Sequence, residues 1–307
     1  MDKILFAILT CNRFHYLRNC LDSIVRCVDL DRIKIVVCDN NTVEKGFDEY
    51  VNGMSEKHDS IRMKKFTDRT RNELYRAMNW AIKHARKRGY KIINFIQDDY
   101  QYLFPNDAHL DEVQQIFKKH KKIAQVNYNL VWRRKKDGHG KIKHFDIDET
   151  HYAIFTQKRM VDNGFTRVDV YKKTGLYPTD AVSWGGNTRV GFGKRPGRYA
   201  GVENGEVWFG RECLKRGYQR AISLFPNMGM VFDCAYVRGE IRMGDYFPPP
   251  NQFYLKPFDE QKISDLRRRH DKKKFSFIED MCEPDGWKPK TMDKHSPLKK
   301  SSSIYTS

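Results

Sequence analysis

The sequence predicts an α/β fold in which a mostly parallel central sheet is flanked by helices. Three observations carry that expectation. Apolar runs of strand length recur through the first hundred residues, and stripes of helical period separate them. Three of the runs stop at clusters of Thr, Asn, Asp or Gln. Strand–helix alternation at this spacing favours parallel pairing through right-handed crossovers.

Ile4 to Leu9 is a continuous apolar run, as expected of a strand buried on both faces. Tyr16, Leu17, Cys20, Leu21 and Ile24 follow at helical spacing. Ile33 to Cys38 reads as a second strand, Phe47 to Met54 as a short helix, and Ile61 to Phe66 as a third strand. Asn72 is placed to cap a helix running through Leu74, Ala77, Met78, Ala81, Ile82 and Ala85 to Gly89, a glycine where helices commonly end. Ile92 to Ile96 is the fourth strand.

The chain has 307 residues, long enough for a sizeable core, and an aromatic fraction of 13%, which argues against wholesale disorder. No apolar run approaches the roughly 20 residues of a membrane span. Ile4 to Leu9 is too short and too soon followed by Thr10-Cys11-Asn12-Arg13 to read as a signal peptide. The seven cysteines include no Cys-x-x-Cys pair and read as reduced, mostly buried thiols, which points to the cytoplasm. Lys plus Arg number 57 against 39 Asp plus Glu, a net charge of +18. Between Lys118 and Lys143 stand ten Lys or Arg against one acid, Asp137, and Arg133 to Lys141 reads as a basic loop or hairpin tip. Such an excess suits nucleic acid, an anionic membrane surface or a phosphorylated substrate.

In an open parallel sheet, ligands bind at the carboxyl ends of the strands. Those ends carry Thr10-Cys11-Asn12-Arg13, Asp39-Asn40-Asn41 and Gln97-Asp98-Asp99. Asp at a strand end can accept hydrogen bonds from a ribose or a base edge, and neighbouring carboxylates suit a hard divalent cation held together with phosphates. Asx residues also serve there simply as turn formers. No Gly-x-Gly-x-x-Gly follows the first strand and no Gly-x-x-x-x-Gly-Lys-Ser/Thr occurs, which speaks against a dinucleotide site and a P-loop.

On these motifs the chain resembles the inverting, GT-A-fold glycosyltransferases of family 2. Ile8 to Arg13 with the helix from Leu17 to Ile24 is similar to that family's first strand and helix. Ile35 to Asn40 resembles its second strand, Ala77 to Ile82 the helix before its metal strand, and Phe95 to Asp99 its Asp-x-Asp strand end. Gly201 to Phe209, followed by Arg216-Gly217-Tyr218, resembles the helix that presents the catalytic base. The resemblance covers about residues 1–235. It implies a Rossmann-like GT-A domain over 1–257, with a nucleotide-binding half at 1–100 and an acceptor-side half at 101–257. Residues 258–307 would form a helical or irregular C-terminal extension whose end is disordered.

The resemblance implies a role for each matching residue. Glu203 would be the base, with Glu206 as the alternative. Thr10, Asn12, Arg13, Asp39, Asn41, Arg71, Arg76 and Asp98 would bind the nucleotide. Asp99 would be the main metal ligand and Asp233 a later one. The cofactor would be a divalent cation, Mn²⁺ or Mg²⁺, the donor a nucleotide-sugar with UDP favoured, and the acceptor a hydroxyl of a glycan, lipid or protein, anionic or at a membrane surface. Three departures stand out: Gln97 replaces the first acid of the Asp-x-Asp pattern, Asn204 the second residue of the Glu-Asp pair, and the late metal-binding His of many relatives has no obvious counterpart, Asp233 being the nearest candidate. The first two keep open an inactive sugar-nucleotide-binding module. A basic nucleic-acid-binding protein or nucleotidyltransferase is the other alternative. The Gly-rich stretch from Trp184 to Gly201 reads equally as a mobile loop over the site or a surface connection, and Tyr246 to Pro250 as a stiff exit from the domain.

Overall fold

A computed structural model describes residues 3–66, 73–102, 104–130, 143–147, 150–155, 164–179, 205–223 and 227–230, with Glu260, Gln261 and Ser264. The four strands and three helices expected over the first hundred residues form, while Asn72 and nearly all of 258–307 lie outside the described residues. The strands β1 (Ile4–Thr10), β2 (Ile33–Asp39), β3 (Ile61–Lys65) and β4 (Ile92–Gln97) alternate with α1 (Phe14–Cys27), α2 (Phe47–Lys57) and α3 (Glu73–Arg88). Then follow β5 (Tyr100–Tyr102), α4 (Ala108–Lys119), β6 (Ile123–Asn127), β7 (Asn129–Leu130), β8 (Lys143–Ile147) and β9 (Thr150–Phe155). The described chain closes with β10 (Gly164–Arg167), α5 (Val170–Thr174), α6 (Gly205–Lys215), β11 (Gln219–Ser223) and β12 (Met228–Met230).

The main sheet runs β3-β2-β1-β4-β10-β6-β11-β9-β8. The half read from the sequence, β3-β2-β1-β4, is wholly parallel. β10 then inserts antiparallel between β4 and β6, and β11 returns parallel to β6. β9 and β8 extend the far edge in antiparallel pairs. A separate small sheet orders β5-β12-β7. The carboxyl ends of β1, β2, β4, β6 and β11 therefore share one edge with the start of β10.

β1 shows why the sheet is central. Ile4, Phe6 and Ile8 enter one core with α1, α2 and α4, while Leu5, Ala7 and Leu9 enter the other with α3 and α6. A strand buried on both faces needs no polar alternation, which is why it reads as an unbroken apolar run. The α3 stripe buries Tyr75, Met78, Ala81, Ile82 and Ala85 against the sheet. α3 ends as its sequence suggests: Gly89 lies at φ +79, with Tyr90 N–H donating to the Ala85 carbonyl and Gly89 N–H to that of Arg86. α6 closes the same way at Gly217, φ +70. Of the seven cysteines, Cys20, Cys27, Cys38 and Cys213 are buried thiols and Cys11 is half-buried; Cys234 and Cys282 lie outside the described residues.

Candidate active site

Two asparagines shape the sheet edge. Asn12, just after β1, has φ 47, and Asn41, just after β2, has φ 55. Asn is among the few residues that tolerate this left-handed region, and each turns the chain back across the strand ends. The two loops are then tied together. Asn12 N–H donates to Thr42 Oγ1 at 2.9 Å, Val43 N–H to Asn12 Oδ1 at 3.1 Å, and Phe14 N–H to a Glu44 carboxylate oxygen at 2.7 Å. The Asp39 carboxylate accepts from Thr42 N–H at 3.0 Å and from Thr42 Oγ1 at 2.6 Å. Burial pushes the Asp39 carboxyl above the usual range, and the Thr42 bonds pull it back.

The charged centre lies where β1 meets β4. Asp98 Oδ2 accepts from Thr10 Oγ1 at 2.8 Å and from Arg13 Nε at 2.9 Å, and Asp98 Oδ1 meets Arg13 Nη2. Arg13 Nη1 reaches Asp99 Oδ2 at 3.4 Å. Both Asp side chains are fully buried, whereas the Arg13 side chain keeps 13% exposure. Burial drives the Asp98 carboxyl strongly upward; Arg13 draws it down and the Asp99 charge pushes it up again. One guanidinium thus serves two carboxylates, and the cluster carries a net negative charge at the sheet edge when both are ionised. Gln97 is buried in the last position of β4.

At the same edge, α6 is anchored to the first turn of α3. Gly205 N–H donates to Tyr75 Oη at 3.0 Å, and a Cβ on Gly205 would lie 2.3 Å from the Tyr75 ring. Tyr75 stacks on Tyr177 at 5.4 Å, and the Asn79 side chain bridges the Tyr177 backbone, donating to its carbonyl at 2.7 Å and accepting from its N–H at 2.9 Å. Glu206 stands in the first turn of α6. Beyond β4, Asn127 and Asn227 are buried at the same edge, with side-chain amide oxygens that find no hydrogen-bond partner among the described residues.

The structure thus brings Thr10, Asn12, Arg13, Asp39, Asn41, Asp98 and Asp99 to one edge. Arg76 stands exposed on the outer face of α3. Arg71, Glu203 and Asp233 lie outside the described residues, as do Asn204, the basic tip Arg133–Lys141, the Gly-rich stretch Trp184–Gly201 and the Tyr246–Pro250 exit. The sequence reading missed Thr42, Glu44, Tyr75 and Asn79. Asn79 did leave a trace, a polar side chain one turn beyond Tyr75 on the apolar flank of α3.

A sheet of this order, with a basic–acidic cluster where β1 meets β4 and a further helix anchored beside it, defines a GT-A glycosyltransferase domain. The model of glycosyl transferase family 2 matches residues 6–168, more than half the chain, and the chain belongs to that family. Several solved structures share the fold. GalNAc-T7 with UDP, GalNAc and Mn²⁺ superposes with a TM-score of 0.54 at 12% identity, over 91% of this chain and 56% of that one. TarS from S. aureus gives 0.51 at 12% identity, over 77% of this chain and 38% of that one. TarS residues 1–349 in complex with UDP-GlcNAc gives 0.50 at 11% identity, over 87% and 64%. At such identities the likeness is one of fold, and the chain spans less than two thirds of each of these structures. No curated protein matches the chain. No helix among the described residues is long and apolar enough to cross a membrane.

Proposed function

We propose that the protein transfers a sugar from a nucleotide-sugar donor to a hydroxyl of a glycan, lipid-linked or protein acceptor, with inversion at the anomeric carbon. The observation that carries this reading is the Thr10–Arg13–Asp98–Asp99 cluster at the carboxyl edge of a family 2 sheet. Inverting transfer needs a carboxylate that takes the proton of the acceptor hydroxyl as its oxygen attacks the anomeric carbon. Glu203 is assigned that role, with Glu206 as the alternative. The bond from the anomeric carbon to the diphosphate breaks on the opposite face, and the nucleoside diphosphate leaves with the electron pair. Arg13 holds both Asp carboxylates in place and keeps positive charge beside the departing group. Arg71 is a further diphosphate contact in this reading. Asp39 and Asn41 stand on the base side, where the Asp39–Thr42 turn fixes the loop.

The donor set suits a hard divalent cation, Mn²⁺ or Mg²⁺. Asp98 is engaged by Arg13 and Thr10, and no three His, Cys, Asp or Glu side chains converge among the described residues. Asp99 would therefore hold the ion with the donor's own phosphate oxygens, a common arrangement for Mg²⁺, and Asp233 would be a second protein ligand. When bound, the ion supplies neutralisation of charge on the leaving diphosphate.

UDP-sugars are the first donors to test, because two of the similar folds were solved with UDP or UDP-GlcNAc. A thermal-shift panel of UDP-, GDP- and dTDP-sugars, each with and without Mn²⁺, checks the reading. A donor at about 100 times its dissociation constant stabilises by about 2.7 kcal/mol, and one base should stand out. Absence of a shift with every donor would count against a sugar-nucleotide site.

A further inference from the structure

The +18 charge has a structured component that the transfer chemistry does not use. From Leu74 to Gln97 the sequence contains no Asp or Glu, yet it holds Arg76, Lys83, Arg86, Lys87, Arg88 and Lys91. Arg76, Trp80, Lys83 and Lys87 follow at spacings of four, three and four residues, which sets them on one stripe of α3. That stripe faces away from Tyr75, Met78, Ala81, Ile82 and Ala85, the buried side of the helix. Arg76, Lys83 and Lys87 are exposed, and Lys83 and Lys87 form no ion pair with any described residue. Lys64 joins the stripe from β3, lying 5.6 Å from the Phe66 ring centre and 6.0 Å from that of Trp80.

An aromatic ladder stiffens this face. Phe66 packs edge-on to Trp80 at 6.1 Å, Trp80 stacks on His84 at 5.0 Å, and His84 stacks on Tyr90 at 6.4 Å. Partial burial, and then the nearby Arg88 and Lys87 charges, hold the His84 imidazole below its usual range.

We propose that this stripe binds an anionic glycan chain, the acceptor of the transfer inferred above, on which this step rests. Three features select that occupant. The stripe starts at Arg76 in the first turn of α3, beside the Tyr75–Gly205 anchor of α6 at the carboxyl edge, and leads away from it. Its cations run over about 16 Å from Arg76 to Lys87, at a rise of about 1.5 Å per residue, a length that suits a short run of an extended anionic chain. The ladder's rings pair with one another and with Lys64, which engages ring faces that base stacking by single-stranded nucleic acid would use. A bilayer is disfavoured because Val43 is the only large apolar side chain exposed among the described residues, and it lies in the β2–α2 loop.

The test measures fluorescence anisotropy of a dye-labelled hyaluronan oligosaccharide on the full chain at low salt. Neutral dextran and a poly(U) oligonucleotide serve as comparisons, and phosphatidylcholine vesicles carrying phosphatidylserine are tested by co-sedimentation. The native chain should bind hyaluronan and not dextran. The double variant Lys83→Glu/Lys87→Glu should bind it at least about tenfold more weakly, because two opposed charges now face each anion. The melting temperature and the nucleotide-sugar thermal shift should stay unchanged in that variant, since both lysines are exposed and stand outside the donor cluster. Equal hyaluronan binding by variant and native chain, or none by either, would overturn the proposal. So would tighter binding of poly(U) or vesicles through the same two lysines. A missing donor shift alongside lysine-dependent hyaluronan binding would fail the transferase reading separately from the surface.

Discussion

Arg13 is the residue on which the sheet edge depends, because it is the counter-charge of two buried carboxylates. Arg13→Met strands Asp98 and Asp99 in a dry site and should lower stability by about 3–5 kcal/mol at pH 7. An unpaired buried carboxyl takes up a proton more readily when folded than when unfolded, so part of that loss should return on acidification; urea titrations at pH 7 and pH 5 read it. His109 behaves in the opposite sense. It is fully buried among Tyr102, Tyr128 and Phe165, its Nδ1–H meets the Asn106 carbonyl, and burial lowers its imidazole to about 4. The folded state then binds fewer protons than the unfolded one between pH 6.5 and pH 4. Stability from this residue is present above pH 6.5 and lost as pH falls through that window, by about 3 kcal/mol in all. His109→Gln should remove that slope, which the difference between native and variant urea midpoints across pH would show. The residue types at the strand ends were legible in the sequence, since Asx clusters after apolar runs mark turns and ligand edges alike. Their partners were not, because Thr10 and Arg13 lie more than eighty residues from Asp98 and local spacing carries no trace of that pairing.

At the scale of elements, the decisive junction is α3 with α6. Tyr75→Phe leaves the buried Gly205 N–H without its acceptor and should cost about 1–3 kcal/mol in a urea titration. If α6 presents the base, turnover should fall about tenfold or more while the donor-induced thermal shift persists, because reacting groups tolerate little misplacement. Gly205→Ala should do more damage, since a Cβ lying 2.3 Å from the ring forces either the ring or the helix to move. A lower melting temperature than that of Tyr75→Phe checks the difference. The first strands and helices were readable because β1, β2 and β4 are nearly unbroken apolar runs, α1 and α3 carry apolar stripes of helical period, and Gly89 marks the end of α3. β10 was not. It has four residues, Gly164 to Arg167, and its place between β4 and β6 is set by long-range pairing alone. The small sheet of β5, β12 and β7 escaped for the same reason: strands of two or three residues show no period.

Across the described residues, the Arg13–Asp98–Asp99 cluster lies at the carboxyl edge between β1 and β4, the α6 anchor stands on the same edge, and the basic stripe of α3 descends the flank from that anchor. Among the described residues, Arg13 is held in the cluster with Asp98 and Asp99, whereas Arg76, Lys83 and Lys87 face outward, where salt should screen them. The most direct test of a glycosyltransferase is release of nucleoside diphosphate from the donor that gives the largest thermal shift, measured for the native chain, Asp99→Asn and Glu203→Gln. An inverting transferase with the assigned roles releases nucleoside diphosphate in the native form and loses at least about a hundredfold of that rate in each variant, within the range that general-base catalysis supplies, while both variants keep their fold. Full turnover in both variants, or no release by the native chain from any donor and acceptor, would contradict it.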